Sequence, residues 1–217
     1  MVFPDDAFRK IDGRLYTKNS VPGNKVYGER LHTIDGTEYR EWSPFRSKLS
    51  AYLSTGGTDV PFTETSNVLY LGAASGTTAS HISDIVPKGM LYCVEFSPRT
   101  FRDLVKVCDI RKNMTPILAD ATNPSEYSFA VPAVDIVYQD VAQKRQIEIL
   151  VDNMNTFSAR YGMIAIKARS EDVTANPETI FRNAEKSLKE KGFKIIDKRL
   201  LDPFEKDHMM IVTERSE

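Results

Sequence analysis

The chain has 217 residues, of which 41% are hydrophobic and 27% are charged, a composition typical of a globular domain. With 29 basic and 30 acidic residues its formal net charge is −1, which argues against a protein that grips nucleic acid by charge alone. Two cysteines exclude a disulfide framework and a four-cysteine zinc site, and the three histidines argue against a His-rich metal site, so we expect no metal. The apolar runs are strand-sized and MVFPDDAFRK shows no secretory signal, so we expect a cytoplasmic protein with no membrane span.

The first part of the chain has the texture of a small β-rich subdomain. Short alternating runs separated by turn residues lie at 13–19, 25–31 and 38–42. The Asp35-Gly36 pair between alternating segments is a strong hairpin signal. A short helix should follow at 44–53, with Phe45, Leu49 and Leu53 facing inward. We place this subdomain at residues 1–54.

Strands alternate with helix-sized segments in the remainder, residues 55–217. The predicted strands are nearly continuous apolar runs, at 67–72, 90–96, 115–120, 134–140 and 162–168. Such runs are typical of strands buried on both faces of a parallel sheet. Helices are predicted within 143–159 and from Pro177, which follows a capping Asn176, to a stop at Gly192.

The end of the chain breaks this alternation. The apolar runs 193–201 and 208–215 are separated by a connection too short for a crossover helix. The last two strands should therefore pair antiparallel. The sequence predicts an α/β doubly wound fold with a mostly parallel sheet and an antiparallel C-terminal strand.

Ligands of open parallel sheets bind beyond the carboxyl ends of the strands. The first such end carries Gly72 and Gly76, which allow a tight turn but do not form the G-x-G-x-x-G dinucleotide motif. Glu95 ends the next strand 19 residues after Gly76, where such sheets bind a ribose diol, although a solvated carboxylate is equally consistent with the spacing. Asp120 and Asp140 end the following strands. Together these residues favour an adenosyl ligand without pyrophosphate, and S-adenosylmethionine fits better than NAD or ATP.

Two lysines and a histidine lie near the same strand ends. Lys167 ends a strand otherwise built for burial, and Asp140 is its predicted partner. Lys48 lies on the short helix, where a solvated lysine is the favoured interpretation. His208 begins the last strand, and a surface histidine is the simplest interpretation there.

The chain resembles the fibrillarin family along essentially its whole length. The motifs that carry the resemblance are EWSPFRSKL at 41–49, YLGAASGTTASHISDIV at 70–86, CVEFSPR at 93–99, ADAT at 119–122, YQDVAQK at 138–144, IAIKARS at 164–170 and DPFEKDH at 202–208. The runs W-x-P-x-R-S-K-L and Y-x-D-V-A-Q are not generic to methyltransferase folds. Because no Gly-Arg-rich extension precedes them, the archaeal form is the most similar, which again implies a cytoplasmic location.

The resemblance implies a Rossmann-like class I fold with a seven-stranded sheet. It also implies an RNA 2′-O-methyltransferase that depends on S-adenosyl-L-methionine, with a catalytic tetrad of Lys48, Asp140, Lys167 and His208. The expected cofactor contacts include the turn glycines and are Gly72, Ala73, Gly76, Thr77, Thr78, Glu95, Phe96, Asp120, Ala121, Asp140, Val141, Ala142 and Gln143. We expect Lys167 to orient and help deprotonate the hydroxyl, and Asp140 to fix that lysine. Lys48 and His208 would hold the target ribose or its phosphate.

The family acts within box C/D ribonucleoprotein particles. The implied partners are a Nop-family scaffold, a kink-turn-binding subunit that resembles a ribosomal protein, a guide RNA and a target rRNA or tRNA. Exposed apolar residues of the N-terminal part, or the basic segment 97–112, are candidates for the scaffold-docking face, although such a basic run is more often a solvated helix face.

Three other functions compete with this one. A methyltransferase of the same fold could act on a small molecule or a protein, and a non-catalytic scaffold subunit could keep the cofactor fold. A nucleotide-linked oxidoreductase ranks last, because the phosphate-binding motif is absent.

Overall fold

The computed structural model describes residues 8–216. The prediction that the N-terminal segment MVFPDDAFRK carries no secretory signal therefore falls mostly on residues outside this range. Within residues 8–216, no helix has the length and apolar character needed to cross a membrane.

A four-stranded antiparallel sheet opens the chain, with the strand order β1-β2-β4-β3. Its strands are β1 Phe8–Ile11, β2 Arg14–Lys18, β3 Leu31–Ile34 and β4 Thr37–Trp42. The Asp35-Gly36 hairpin is confirmed, and both residues have positive φ, 51° and 78°, as a tight primed turn requires. The run 25–31 was wrong as a strand: its backbone amides at Val26 and Tyr27 donate to the Glu29 carboxylate instead of to a neighbouring strand.

The short helix α1, Lys48–Ser54, begins later than the sequence suggests. Ser47 caps it by accepting a hydrogen bond from the Ser50 amide at 3.3 Å. Leu49 is buried as predicted, but the inward orientation of Phe45 is wrong, since 67% of Phe45 is exposed. Phe45 lies in the turn before the helix and meets the ring of Phe204 edge to face, with centroids 5.2 Å apart.

The second sheet has seven strands in the order β10-β11-β9-β8-β5-β6-β7. Its strands are β5 Val68–Leu71, β6 Leu91–Glu95, β7 Met114–Leu118, β8 Ile136–Gln139, β9 Tyr161–Lys167, β10 Phe193–Leu200 and β11 His208–Arg215. Strand β11 lies between β10 and β9 and is antiparallel to both, while the pairings from β9 to β7 are parallel. The predicted Rossmann-like architecture is therefore confirmed.

Helices cover both faces of this sheet. They are α2 Thr77–Ile85, α3 Pro98–Ile110, α4 Gln146–Thr156, α5 Ala168–Glu171 and α6 Pro177–Glu190, with single 3-10 turns at Pro124–Glu126 and Ser128–Ala130. The side chain of Asn176 caps α6 as predicted, and Gly192 follows its end with φ 84°. Two hydrophobic clusters fill the space on either side of the sheet.

A buried ionic network joins the N-terminal sheet to helix α2. The Asp84 carboxylate pairs with Arg40 at 2.8 Å and with Arg111 at 2.5 Å, and none of these side chains is more than 1% exposed. Arg40 also pairs with Glu29 at 2.6 Å. Arg111 belongs to the basic segment 97–112, so this part of the segment is not a solvated face. The division of the chain into two domains at residue 54 stays a prediction.

His81 on α2 extends this contact between the two sheets. Its ring bonds to the Thr17 hydroxyl at 2.7 Å and to the Tyr27 hydroxyl at 2.8 Å, and it stacks on Trp42. Burial holds the pKa of His81 well below its ordinary value, and the positive charges of nearby Arg40 and Arg111 lower this pKa further. A neutral histidine therefore anchors α2, the helix that begins directly after the loop following β5.

We expect Arg111→Met to lower the free energy of unfolding by about 3–5 kcal/mol, because Asp84 would lose a partner while staying buried. Urea denaturation measures this loss. Lys106→Met is the control, since it breaks the exposed Lys106–Asp103 pair on α3, which ends just before Arg111, and it should leave stability close to wild type. Equal losses in the two variants would contradict a special role for the buried network.

We expect stability to fall as the pH drops below about 6.5, because the unfolded chain binds a proton at His81 and the folded chain does not. The slope from this residue approaches about 1.4 kcal/mol per pH unit. Denaturation of the wild type and of His81→Gln at pH 7.5, 6.5 and 5.5 tests this, with exposed His32→Gln as the control. If the pH dependence persisted in His81→Gln but disappeared in His32→Gln, it would come from His32, and the prediction would be wrong.

Candidate active site

A cavity of about 340 Å³ opens at the carboxyl ends of the five parallel strands β5, β6, β7, β8 and β9. It brings together residues that are far apart in the sequence. The lining residues are Gly72, Ala74, Val94, Glu95, Phe96, Ala119, Ala121, Asp140, Val141, Ala142, Gln143 and Lys167. Most of the predicted cofactor contacts are therefore neighbours in the fold.

Gly72 is required by the shape of the turn after β5. Its φ is 83°, and a Cβ atom there would lie 2.9 Å from the carbonyl oxygen of Asp140. Any side chain at this position would push apart the two loops that border the cavity. The tight turn that the sequence predicted is therefore present, and the structure adds its close approach to the Asp140 backbone.

Glu95 is held in place by backbone donors on two loops. Its Oε2 accepts a hydrogen bond from the Ala74 amide at 2.8 Å, and its Oε1 accepts one from the Ser97 amide at 2.8 Å. A carboxylate has further lone pairs, so both oxygens can still accept hydrogen bonds from a ligand. A pair of vicinal hydroxyls, such as a ribose diol, matches this acceptor.

The rest of the wall is largely apolar with one unpaired polar atom. Phe96 is 64% exposed and flanks the cavity beside the small side chains of Ala119 and Ala121. The Oε1 atom of Gln143 is buried and has no hydrogen-bond partner among residues 8–216. An aromatic face, a narrow apolar slot and a free acceptor fit a flat heterocycle that carries hydrogen-bond donors.

Five predicted cofactor residues lie beside this cavity without lining it. These residues are Ala73, Gly76, Thr77, Thr78 and Asp120. Thr78 is buried and donates to the Ser47 hydroxyl at 3.0 Å, while Asp120 accepts from the Thr122 amide. Thr77 instead lines a separate groove that also contains Arg46. Contact between these residues and a cofactor stays a prediction.

The Asp140 carboxylate joins two lysines at the mouth of the cavity. Lys167 Nζ lies 2.9 Å from its Oδ1 and donates to the Asp140 carbonyl at 3.1 Å, as the predicted partnership requires. Lys48 Nζ lies 3.4 Å from Oδ2 and 3.7 Å from Glu205. Only 15% of the Lys48 side chain is exposed, so the interpretation as a solvated helix lysine was wrong.

His208 completes the group from the neighbouring strand. It pairs with Lys167 in the register of β11 and β9. Its Nδ1 is 2.7 Å from the carbonyl oxygen of Lys206, and since that oxygen only accepts, Nδ1 must carry a proton. In the neutral ring Nε2 is then an acceptor.

Two buried tyrosines lie below Asp140. Tyr70 and Tyr138 meet edge to face with ring centroids 4.7 Å apart. Burial raises the pKa of both phenols well above the ordinary value, and the charge of Asp140 adds to this effect. Both phenols therefore stay neutral near pH 7.

Sequence reasoning missed one residue that contacts the backbone of Lys167. Gln146 is buried, and its side-chain amide bonds to both the amide and the carbonyl of Lys167. The partners are 21 residues apart, and Gln146 continues a polar stretch before α4, so no periodic pattern marks it.

No cluster of metal-ligating side chains is found among residues 8–216. Cys93 and Cys108 are both free and buried. Burial raises the pKa of the Cys93 thiol well above its ordinary value, which keeps it protonated and unreactive.

Comparison with known proteins extends across the whole chain. A fibrillarin-like rRNA/tRNA 2′-O-methyltransferase of Methanopyrus kandleri is 51% identical over 208 residues, which cover 94% of this chain and 90% of that protein. The crystal structure of Aeropyrum pernix fibrillarin with natively bound S-adenosyl-L-methionine is similar at a TM-score of 0.86 and 47% identity, covering 95% of this chain and 92% of that one.

A chain of a fibrillarin/Nop5p complex is similar at a TM-score of 0.89 and 42% identity, covering 97% of this chain and 98% of that one. The family model described as Fibrillarin matches residues 4–217. The fold, the near-complete coverage and this match together show that the chain belongs to the fibrillarin family.

Proposed function

We propose that the chain transfers a methyl group from S-adenosyl-L-methionine to the ribose 2′-hydroxyl of ribosomal and transfer RNA. The observation that carries this proposal is the Asp140 carboxylate, which faces two lysines on one side and borders the adenosyl-sized cavity on the other. The similar protein of Methanopyrus kandleri, which is named a 2′-O-methyltransferase of rRNA and tRNA, supports the same reaction.

The cavity residues fit this cofactor. Glu95 would accept hydrogen bonds from the ribose hydroxyls, and Phe96 would cover the adenine beside Ala121. The unpaired Gln143 oxygen would accept a hydrogen bond from the ligand. When bound, the cofactor supplies a methyl group on a positively charged sulfur, which is already activated for displacement.

The residues at the cavity mouth would position the acceptor. Lys167 would orient the hydroxyl and help remove its proton, and a lysine can take a proton only when its amine is neutral. Asp140 fixes that amine at 2.9 Å. Lys48 and His208 would hold the ribose or its phosphate, so that oxygen, carbon and sulfur come into line.

We infer that the chain works within a guided RNA–protein particle. A net charge of −1 gives it little affinity of its own for naked RNA. A Nop-family scaffold, a kink-turn-binding subunit and a guide RNA would then bring the target to the site. The structure of a similar chain in complex with Nop5p supports the scaffold, and the archaeal relatives are consistent with action in the cytoplasm.

The first experiment follows labelled methyl from S-adenosylmethionine to a guide-paired RNA, with and without the scaffold and kink-turn proteins. A parallel RNA carries 2′-deoxyribose at the target nucleotide. Transfer that needs the full assembly and is lost with the deoxy target supports the proposal. Transfer to the deoxy target would instead favour a methyltransferase with another acceptor, and absence of transfer under all conditions would favour a scaffold subunit.

We expect Lys167→Ala to abolish methyl transfer while cofactor binding stays nearly intact, because the amine that pairs with Asp140 would act on the acceptor hydroxyl and not on the cofactor. Transfer is measured in the assembled particle, and cofactor binding by isothermal titration calorimetry. A large loss of cofactor affinity would make the role of Lys167 structural.

We expect Glu95→Gln to weaken cofactor binding about tenfold or more, since a hydrogen bond to a charged acceptor contributes about 1.5–3 kcal/mol. Calorimetry gives the dissociation constant. Glu64→Gln, which alters an exposed carboxylate paired with Lys88, is the control and should bind like wild type. An unchanged constant for Glu95→Gln would remove the carboxylate from the cofactor site.

A further inference from the structure

Gln146, the first residue of α4, makes a two-point contact with the main chain of Lys167. The Lys167 amide donates to Gln146 Oε1 at 3.0 Å, and Gln146 Nε2 donates to the Lys167 carbonyl at 3.1 Å. Gln146 is 1% exposed, so water cannot readily replace either bond.

The contact takes the place of a missing strand. Strand β8 pairs with β9 only as far as Gln139, which lies opposite Ile164, and its chain then turns away at Asp140. On its other side β9 continues to pair with β11 up to the end, where His208 lies opposite Lys167. The Gln146 amide offers one donor and one acceptor, the same groups that a peptide of an extended β8 would have supplied.

The main chain of Gln146 is also fixed by hydrogen bonds. Its backbone amide donates to Glu171 Oε1 at 2.6 Å, and its backbone carbonyl accepts from Gln139 Nε2 at 2.7 Å. Gln139 and Gln146 therefore fix both ends of the loop 140–145, which carries Asp140 and three of the cavity residues. The side-chain oxygen and nitrogen and the main-chain amide and carbonyl of Gln146 all have hydrogen-bond partners, which makes its position well defined.

We propose that Gln146 is a positioning residue for methyl transfer, which keeps Lys167 Nζ in register with the Asp140 carboxylate and the cavity. The proposal rests on the function proposed above. Nζ is 2.9 Å from Asp140 in the structure, and a displacement of about 1 Å at a reacting group can cost about 100-fold in rate. Gln146 itself does not line the cofactor cavity, and its two side-chain hydrogen bonds to Lys167 are to the main chain.

The test is Gln146→Met, which keeps the length and burial of the side chain but removes its donor and acceptor. In the assembled particle we expect kcat to fall about 10- to 100-fold, while KM for RNA and the cofactor dissociation constant stay within about twofold. The matched control is Thr213→Val, which removes a buried hydrogen bond to the Lys194 carbonyl at the opposite end of β11 and should leave kcat unchanged.

Hydrogen exchange of the Lys167 amide gives a readout that does not depend on activity. We expect it to accelerate at least about tenfold in Gln146→Met and to stay at the wild-type rate in Thr213→Val, because only the first variant loses the acceptor of that amide. If the wild-type particle transfers no methyl group, the proposed function fails, and exchange still decides whether Gln146 holds Lys167.

Glu171→Ala is the second variant, for the case that Gln146→Met does not fold. It leaves the Gln146 side chain in place but frees the start of α4, so we expect a smaller fall in kcat, about three- to tenfold. A kcat within about twofold of wild type in either folded variant, or unchanged exchange at Lys167, would overturn the proposal.

Discussion

The arrangement of the site depends on one shared carboxylate. Asp140 is 13% exposed and lies between an amine from α1 and an amine from β9, so it ties the short helix to the centre of the large sheet. A charge with so little access to water is costly unless it is paired. The positions of Lys48, Lys167 and the loop after β8 are therefore linked: moving any one of them would break an ion pair of Asp140.

The loop that carries Asp140 has two faces with different tasks. One face presents the carboxylate to the lysines, while Val141, Ala142 and Gln143 form the wall of the cavity. Gly72 allows the opposite loop to approach within contact distance of the Asp140 carbonyl. Since the same six-residue loop borders both sides, the distance between a methyl donor and its acceptor is set locally and does not depend on a hinge between distant parts.

The sheet could be predicted from the sequence because its strands are continuous apolar runs, a pattern that few other structures share. The pairing of Lys167 with Asp140 could also be predicted, because a lysine that ends such a run needs a partner. Lys48 and Arg111 could not be separated from surface cations, since their carboxylate partners lie far away in the sequence or on another element. Phe45 was predicted to face inward because its spacing from Leu49 is helical. It lies before the helix, however, because Ser47 is the cap at which the helix begins.

The position of β11 has a consequence for the order in which the protein is completed during synthesis. Strand β9 has β8 on one side, and its other edge pairs with β11, which is made after every other strand of this sheet. Until His208–Arg215 leaves the ribosome, that edge presents free backbone donors and acceptors, the kind of surface that can pair with a wrong chain. The cavity could form earlier, because its strands are already present. The nascent chain would thus gain the strands of its cavity before His208, the fourth residue of the proposed tetrad, arrives.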